Sequence, residues 1–226
     1  SPTAKLHGHT YRVPLIIDTD MSLDDARALV LLFNSDMADV RLMVTSDGAV
    51  SPETGCRNLI TFLGLYFASG PAARAAAEGP SGHLDPTCVG ERRRCFAPSR
   101  RSTPSRHTRL EEHLIAAGRE LHKEDPPWRE WSEEIFSFAG PAAAAENENT
   151  VPAARAIVEL LQANEAPCIY LCLGPMSNLA DALAIDDSIK ENISRVIFYG
   201  TPPDAVKADW NTARDLSSAR NVFKSG

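Results

Sequence analysis

Short apolar runs that end on acids or polar residues alternate along this chain with stretches whose apolar residues recur every three or four positions. The first run, Val13-Pro-Leu-Ile-Ile17, is continuous rather than alternating, the pattern of a strand buried on both faces. Behind it, Ala26, Leu29, Val30 and Phe33 fall at i, i+3, i+4 and i+7, the spacing of one helix face. Ser22 with Asp25 three residues later resembles a capping box and starts that helix near Leu23. Residues 40–45 read as a second strand and 58–68 as a second helix, with Leu59, Phe62, Leu63 and Tyr66 on one side. Later, Ile157, Leu160 and Leu161 mark a helix leading into a strand over 168–173. A short helix over 179–183 then precedes a strand over 195–199. Strands alternating with helices at this spacing predict an α/β fold, a doubly wound and mostly parallel sheet with helices on both faces.

Residues 70–149 break the pattern with Ala-, Pro- and Arg-rich pieces such as Glu91-Arg-Arg-Arg94. They read as an insertion, lid-like, within a single domain spanning 1–226, with charges facing water. Trp128 and Trp131 inside it are candidates to cover an aromatic ligand or to pack the insertion onto the body. His113 and His122 fall on a polar, helix-like stretch.

Composition changes this picture little: 226 residues, 43% hydrophobic and 23% charged, suit one large domain. A net charge of −7 argues against a nucleic-acid surface. No apolar run reaches the ~18 residues of a membrane helix, so a soluble protein is expected, cytoplasmic or exported. The chain starts at Ser1 rather than Met, which leaves a trimmed leader open. Of five cysteines, Cys168 and Cys172 sit in a strand-like run as free thiols, and Cys88 and Cys95 are close enough in sequence to bridge.

The chemistry gathers at the end of the first strand. Asp18-Thr-Asp-Met-Ser-Leu-Asp-Asp25 holds four carboxylates in a short segment. In open α/β sheets, ligands bind beyond the carboxyl ends of the strands. A helix N-terminus stabilises each nearby negative charge by only ~0.3–1 kcal/mol, too little to keep four crowded acids ionised away from water. A cation or a proton must therefore be shared among them. Oxygen ligands without nearby His or Cys point to Ca²⁺ or Mg²⁺. Helix capping and salt bridges to Arg27 or Arg57 account for one or two of the acids, not four.

Two families carry such a segment. Asp18-Thr-Asp-Met-Ser22 followed by Thr45-Ser46 resembles the haloacid dehalogenase-like phosphatases, although Met21 stands where they have glycine and no lysine motif follows. The second resemblance runs further. Asp18 through Ala26 matches Asp-x-Asp-x-x-x-Asp-Asp-Ala of the inosine–uridine-preferring nucleoside hydrolases. Gly174-Pro-Met-Ser-Asn-Leu-Ala180 is similar to that family's middle motif, and Asp209-Trp-Asn211 with Asp215 through Gly226 to a later one. The order is the same, and the likeness covers about 13–68 and 152–226.

That resemblance implies a hydrolase that cleaves the N-glycosidic bond of ribonucleosides to ribose and free base, using a Ca²⁺-bound water, in nucleoside metabolism and salvage. Asp20 and Asp25 take the places of the calcium carboxylates, and the backbone carbonyl of Leu173 that of a main-chain calcium ligand. Asp20 also matches the general base, Asp24 the grip on the ribose 2′-hydroxyl, Asp209 and Asn211 the contacts to the other hydroxyls, and Asp18 a supporting acid behind them. Relatives commonly form homo-oligomers. Ala49 stands where the family has a sugar-contacting Asn, and Asp209 replaces a Glu. The family continues beyond the position of Gly226 with a further calcium aspartate and a histidine near the leaving group, and no histidine here matches that motif. The chain is therefore expected to be a fragment of a longer protein. The alternatives are the phosphatase and an inactive homologue that binds calcium and ribose.

Overall fold

The computed structural model describes residues 12–35, 37–69, 114–137, 151–164 and 166–226. Five strands form one sheet: β1 (Val13–Thr19), β2 (Ala38–Thr45), β3 (Leu114–Ala117), β4 (Cys168–Cys172) and β5 (Ile193–Phe198). The spatial order is β3-β2-β1-β4-β5 and every pairing is parallel. Between the strands run α1 (Leu23–Phe33), α2 (Pro52–Ser69), α3 (Arg129–Glu134), α4 (Ala153–Ala163) and α5 (Ser177–Ile185). A 3₁₀ turn (Asp187–Asn192) precedes β5, and α6 (Trp210–Arg214) and α7 (Leu216–Lys224) follow it.

Alternate residues of the central strand feed two cores, as the two-residue period of a strand requires. Leu15 and Ile17 pack with Met43, Leu29, Leu59 and Leu63 under α1 and α2. Ile16 packs on the opposite face with Leu42, Tyr170, Ile157, Leu161 and Leu179 under α4, α5 and α7. The expected doubly wound sheet is what the chain forms. None of the helices among the described residues is long and apolar enough to cross a membrane.

Several expectations shift in detail. Ser22 caps α1, its hydroxyl accepting from the Asp25 N–H, but the reciprocal half of the box is absent. Asp20 takes the Ser22 N–H, and Asp25 turns back to Asp20. Val30 is exposed, so the buried face of α1 is Ala26 and Leu29 with Phe33 at its edge. Helix α2 starts at Pro52, six residues before the periodic stretch, because proline suits a first helical turn.

The larger difference concerns residues 114–137, expected inside a lid-like insertion. β3 is the edge strand beside β2, and Trp128, the residue before α3, lines the cavity described below. His122 lies in irregular backbone at φ 50°, not on a helix, and its side chain is exposed. The possible Cys88–Cys95 bridge and His7, His9, His83, His107 and His113 fall outside the described residues, whereas Cys56, Cys168 and Cys172 are free thiols.

Candidate active site

β1 lies at the centre of the sheet, and the chain winds outward from it in both directions, to β2 and β3 on one side and to β4 and β5 on the other. The crevice at such a switch point is where α/β sheets place ligands. Asp18 is next to last in β1, Asp20 lies just beyond the strand, and Leu173 just beyond β4.

Asp18 is fully buried. Its Oδ2 accepts the Tyr170 hydroxyl at 2.7 Å and its Oδ1 the Asn178 amide at 3.0 Å. Burial nevertheless dominates and raises its pKa to about 7. Asp18 does not line the cavity described below. Asp20 is almost as buried; its Oδ2 accepts the Ala49 N–H at 2.9 Å and its Oδ1 the Ser22 N–H at 3.3 Å. Asp25, in the first turn of α1, accepts the Thr19 hydroxyl at 2.5 Å and the Asp20 N–H at 3.1 Å. Burial pushes both carboxyls up despite these donors, and the charge of Asp20 pushes Asp25 further. Between them, Met21 adopts φ 53° with its side chain entirely enclosed in the core under α1. Gly48 closes the other side: a Cβ there would stand 2.1 Å from Asp20 Oδ2.

Asp24 is exposed and accepts the Ser22 hydroxyl at 2.6 Å. Asp209 caps α6 by accepting the Thr212 N–H at 2.9 Å. Asn211 donates through Nδ2 to the Leu173 carbonyl at 2.7 Å and to the Tyr199 carbonyl at 3.2 Å. The Leu173 carbonyl is thus already engaged by one donor, which leaves one of its two lone pairs for a ligand.

Asp20, Asp24, Asp25, Leu173, Asp209 and Asn211 all line one cavity of about 300 Å³, together with Ser22, Ala49, Trp128, Tyr199 and Trp210. Of the aspartates, Leu173 and Asn211 assigned to the site from sequence, all line this cavity except Asp18. Trp128 packs edge-on against Trp210, ring centroids 4.8 Å apart, at the cavity wall; Trp131 is exposed and does not line it. A larger cleft of about 1050 Å³ lies between α2 and the 120–137 segment, but none of Asp18, Asp20, Asp24 or Asp25 borders it. The smaller cavity is the one with convergent acids and raised carboxyl pKa values, the marks of a reactive site.

Sequence reasoning missed a second set of residues. Asp47, which borders the larger cleft, is buried between Arg129 and Arg214, which reach its Oδ1 at 2.6 and 2.8 Å. The Leu121 N–H donates to its Oδ2 at 2.7 Å. Burial alone would raise Asp47, but this N–H and the two guanidinium groups outweigh it and hold the carboxyl below the usual range. No local signal announces contacts between residues 82 and 167 positions apart.

A divalent cation would need hard oxygen donors and uncompensated negative charge. Asp20 and Asp25 supply both, because among the described residues no arginine or lysine pairs with Asp18, Asp20, Asp24 or Asp25. Two carboxylates and a carbonyl are suitable calcium donors. Among the described residues no three His, Cys, Asp or Glu side chains form such a group by themselves, so the fit depends on the Leu173 carbonyl.

Comparisons with known proteins bear on the family and the fold. The chain is 26% identical over 228 residues to the non-specific ribonucleoside hydrolase RihC of Escherichia coli, a match covering 95% of this chain and 59% of that protein. It spans, in other words, little more than half the length of the curated relatives it matches. Among solved structures, the inosine–uridine preferring nucleoside hydrolase of Bacillus anthracis superimposes with a TM-score of 0.61 at 17% identity, covering 95% of this chain and 62% of that one. An inosine–guanosine nucleoside hydrolase gives 0.64 at 18% identity, covering 94% and 58%. At these identities the structures speak for the fold alone. The family model described as inosine-uridine preferring nucleoside hydrolase matches residues 15–226, nearly all of the chain, and the protein belongs to that family.

Proposed function

We propose that the cavity beyond β1 and β4 binds a ribonucleoside and hydrolyses its N-glycosidic bond, releasing ribose and a free base. The observation that supports this most directly is the convergence of Asp20, Asp24, Asp25, Leu173, Asp209 and Asn211 on one cavity of about 300 Å³, small enough to surround a sugar. Asp20 accepts a proton from the attacking water, a role suited to a carboxyl whose pKa burial raises above the ordinary aspartate value. The other acids of the cavity, when ionised, would stabilise positive charge developing at C1′ as the bond breaks. Asp24 and Asp209 face the cavity as acceptors for ribose hydroxyls, and Asn211 as a partner for another. The Trp128–Trp210 pair offers an aromatic wall for the base.

Asp20, Asp25 and the Leu173 carbonyl would hold Ca²⁺. Bound there, it would neutralise the acids and lower the pKa of a ligated water. Of the Thr45-Ser46 pair that the phosphatase alternative would use, Thr45 spends its hydroxyl on the Pro52 carbonyl at 2.6 Å.

The test is to incubate the protein with inosine, uridine and a generic phosphate ester, with and without calcium, and to measure reducing sugar, phosphate and ligand binding. Ribose release that requires calcium and disappears in Asp20→Asn is the expected result. Full activity in that variant refutes the role given to Asp20. Phosphate release favours a phosphatase, and calcium-dependent binding without turnover favours an inactive homologue.

A further inference from the structure

The acids and their cavity leave unexplained an ionic cluster whose Asp47 and Arg129 border the larger cleft. Asp47 sits in the loop between β2 and α2, 2% exposed, and binds two arginines from distant parts of the chain. Arg129 opens α3 and Arg214 closes α6. Each arginine makes further bonds: Arg129 Nη2 donates to the Gly48 carbonyl at 3.0 Å, and Arg214 Nη1 to the Glu124 carbonyl at 2.7 Å. Lys123 donates to the Arg214 carbonyl. Asp125, largely exposed, lies 3.1 Å from Arg129 Nε.

We propose that Asp47, clamped by Arg129 and Arg214, is a positioning residue for nucleoside hydrolysis that locks three separate chain segments into one cavity wall.

Each segment delivers something the cavity uses. The residue after Asp47 is Gly48, whose bare Cα makes room for the Asp20 carboxyl, and the next is Ala49, whose N–H holds Asp20 Oδ2. The clamp thus grips Gly48 through its carbonyl while Asp20 rests on its other side. Arg129 directly follows Trp128, and Arg214 ends the helix that carries Trp210 and Asn211, its guanidinium carbon 6.0 Å from the Trp210 ring. Trp128 and Trp210 meet at 4.8 Å because their neighbouring arginines meet on the same carboxylate. A surface ion pair would hold such elements weakly, but the side chains here are 3% exposed at Asp47 and Arg214 and 11% at Arg129, low enough for the bonding geometry to be enforced even though Asp47 and Arg129 border the larger cleft. Misplacing reacting groups by about 1 Å costs on the order of 100-fold in rate, so a rigid wall matters for turnover.

The inference rests on the nucleoside-hydrolase reading of the cavity, and its test keeps the two separable. Asp47→Asn preserves the shape and removes the charge; Arg214→Met preserves bulk and breaks one arm. Leu161→Ala, in the core under α4 and away from the cavity, is the control for a loss of stability alone. The measurements are Tm, kcat and KM on a nucleoside, and the near-UV circular dichroism of the tryptophan pair. We expect kcat/KM to fall at least tenfold in both clamp variants at a temperature where they are folded, with the tryptophan signal diminished. Leu161→Ala should lower Tm and leave both readouts as in the wild type. Clamp variants that lose Tm but keep wild-type kcat/KM or an unchanged tryptophan signal overturn the proposal. Should Asp47→Asn fail to fold, Arg214→Met decides by the same criteria. If the wild type cleaves no nucleoside, the function proposed above fails, and the tryptophan signal alone decides whether the clamp shapes the wall.

Discussion

Replacing Asp18 by asparagine should make the metal-free protein more stable at pH 8, although it alters a fully buried group with two hydrogen bonds. The carboxyl titrates at about 7 in the folded chain, against 3.8 for an unperturbed aspartate. Between those values the unfolded chain has lost its proton while the folded one keeps it, so folding binds a proton and stability falls as pH rises. The contribution is fully present below pH 4, fades through pH 7 and is gone above it. At about 1.4 kcal/mol per pH unit, holding Asp18 ionised at pH 8 costs about 4 kcal/mol relative to the unfolded chain. An asparagine in its place would carry no charge and could keep both partners, its Oδ1 accepting from Asn178 and its amide donating to the Tyr170 hydroxyl oxygen. Allowing about 1 kcal/mol for imperfect amide geometry, the gain at pH 8 is roughly 3 kcal/mol. The assay is urea denaturation of both proteins in the presence of a chelator, at intervals from pH 4 to pH 8. The two curves should meet near pH 4 and diverge toward pH 8, with the variant on top. Parallel curves, or a variant less stable than the wild type at pH 8, refute the assignment of the raised carboxyl to Asp18.

Two further outcomes follow from the site's construction. Gly48→Ala should fold, because Gly48 needs no left-handed backbone, yet its new Cβ would meet Asp20 Oδ2 at 2.1 Å and displace the carboxyl; a loss of kcat on the order of 100-fold is expected, and near-normal turnover would show that Asp20 is not held where its role requires. Calcium at ~100 times its Kd should stabilise the wild type by about 2.7 kcal/mol, or roughly 5–10 °C in a chain of this size, and Asp25→Asn should abolish most of that shift in a thermal melt.

The central fold could be read from residues because it follows from burial. Strands enclosed on both faces must be apolar throughout, and central β1 announces itself that way; β2, β4 and the edge strand β5 announce themselves by shorter apolar runs, Leu42-Met43-Val44, Ile169-Tyr170-Leu171 and Val196-Ile197-Phe198. β3 did not: an edge strand of four residues has no room for a period, and it follows an Arg-rich stretch that resembles solvated loop. The site divides along the same line. Asp18, Asp20, Asp24 and Asp25 are neighbours in sequence, so their chemistry is visible before any folding is known. The clamp on Asp47 exists only once residues 129 and 214 arrive from elsewhere, and an isolated Asp-Gly in a loop reads as a turn. Trp128 shows an intermediate case: its chemistry suggested an aromatic wall, but only the position of Trp210 identifies which tryptophan supplies it.

Met21 has a consequence for how any ligand meets these acids. A residue with a side chain is strained in the left-handed region by roughly 1–2 kcal/mol, and glycine would relieve it. Yet burying a methionine side chain yields about 1.5–3 kcal/mol, so the core beneath α1 can hold the peptide in its unfavourable twist. The bend bearing Asp20 is therefore sprung from below by hydrophobic packing and is shaped before an ion or sugar arrives. Binding then requires little ordering of the backbone. Relaxing this one twist by Met21→Gly would release the tension, leaving the turn looser and the ligand to organise it.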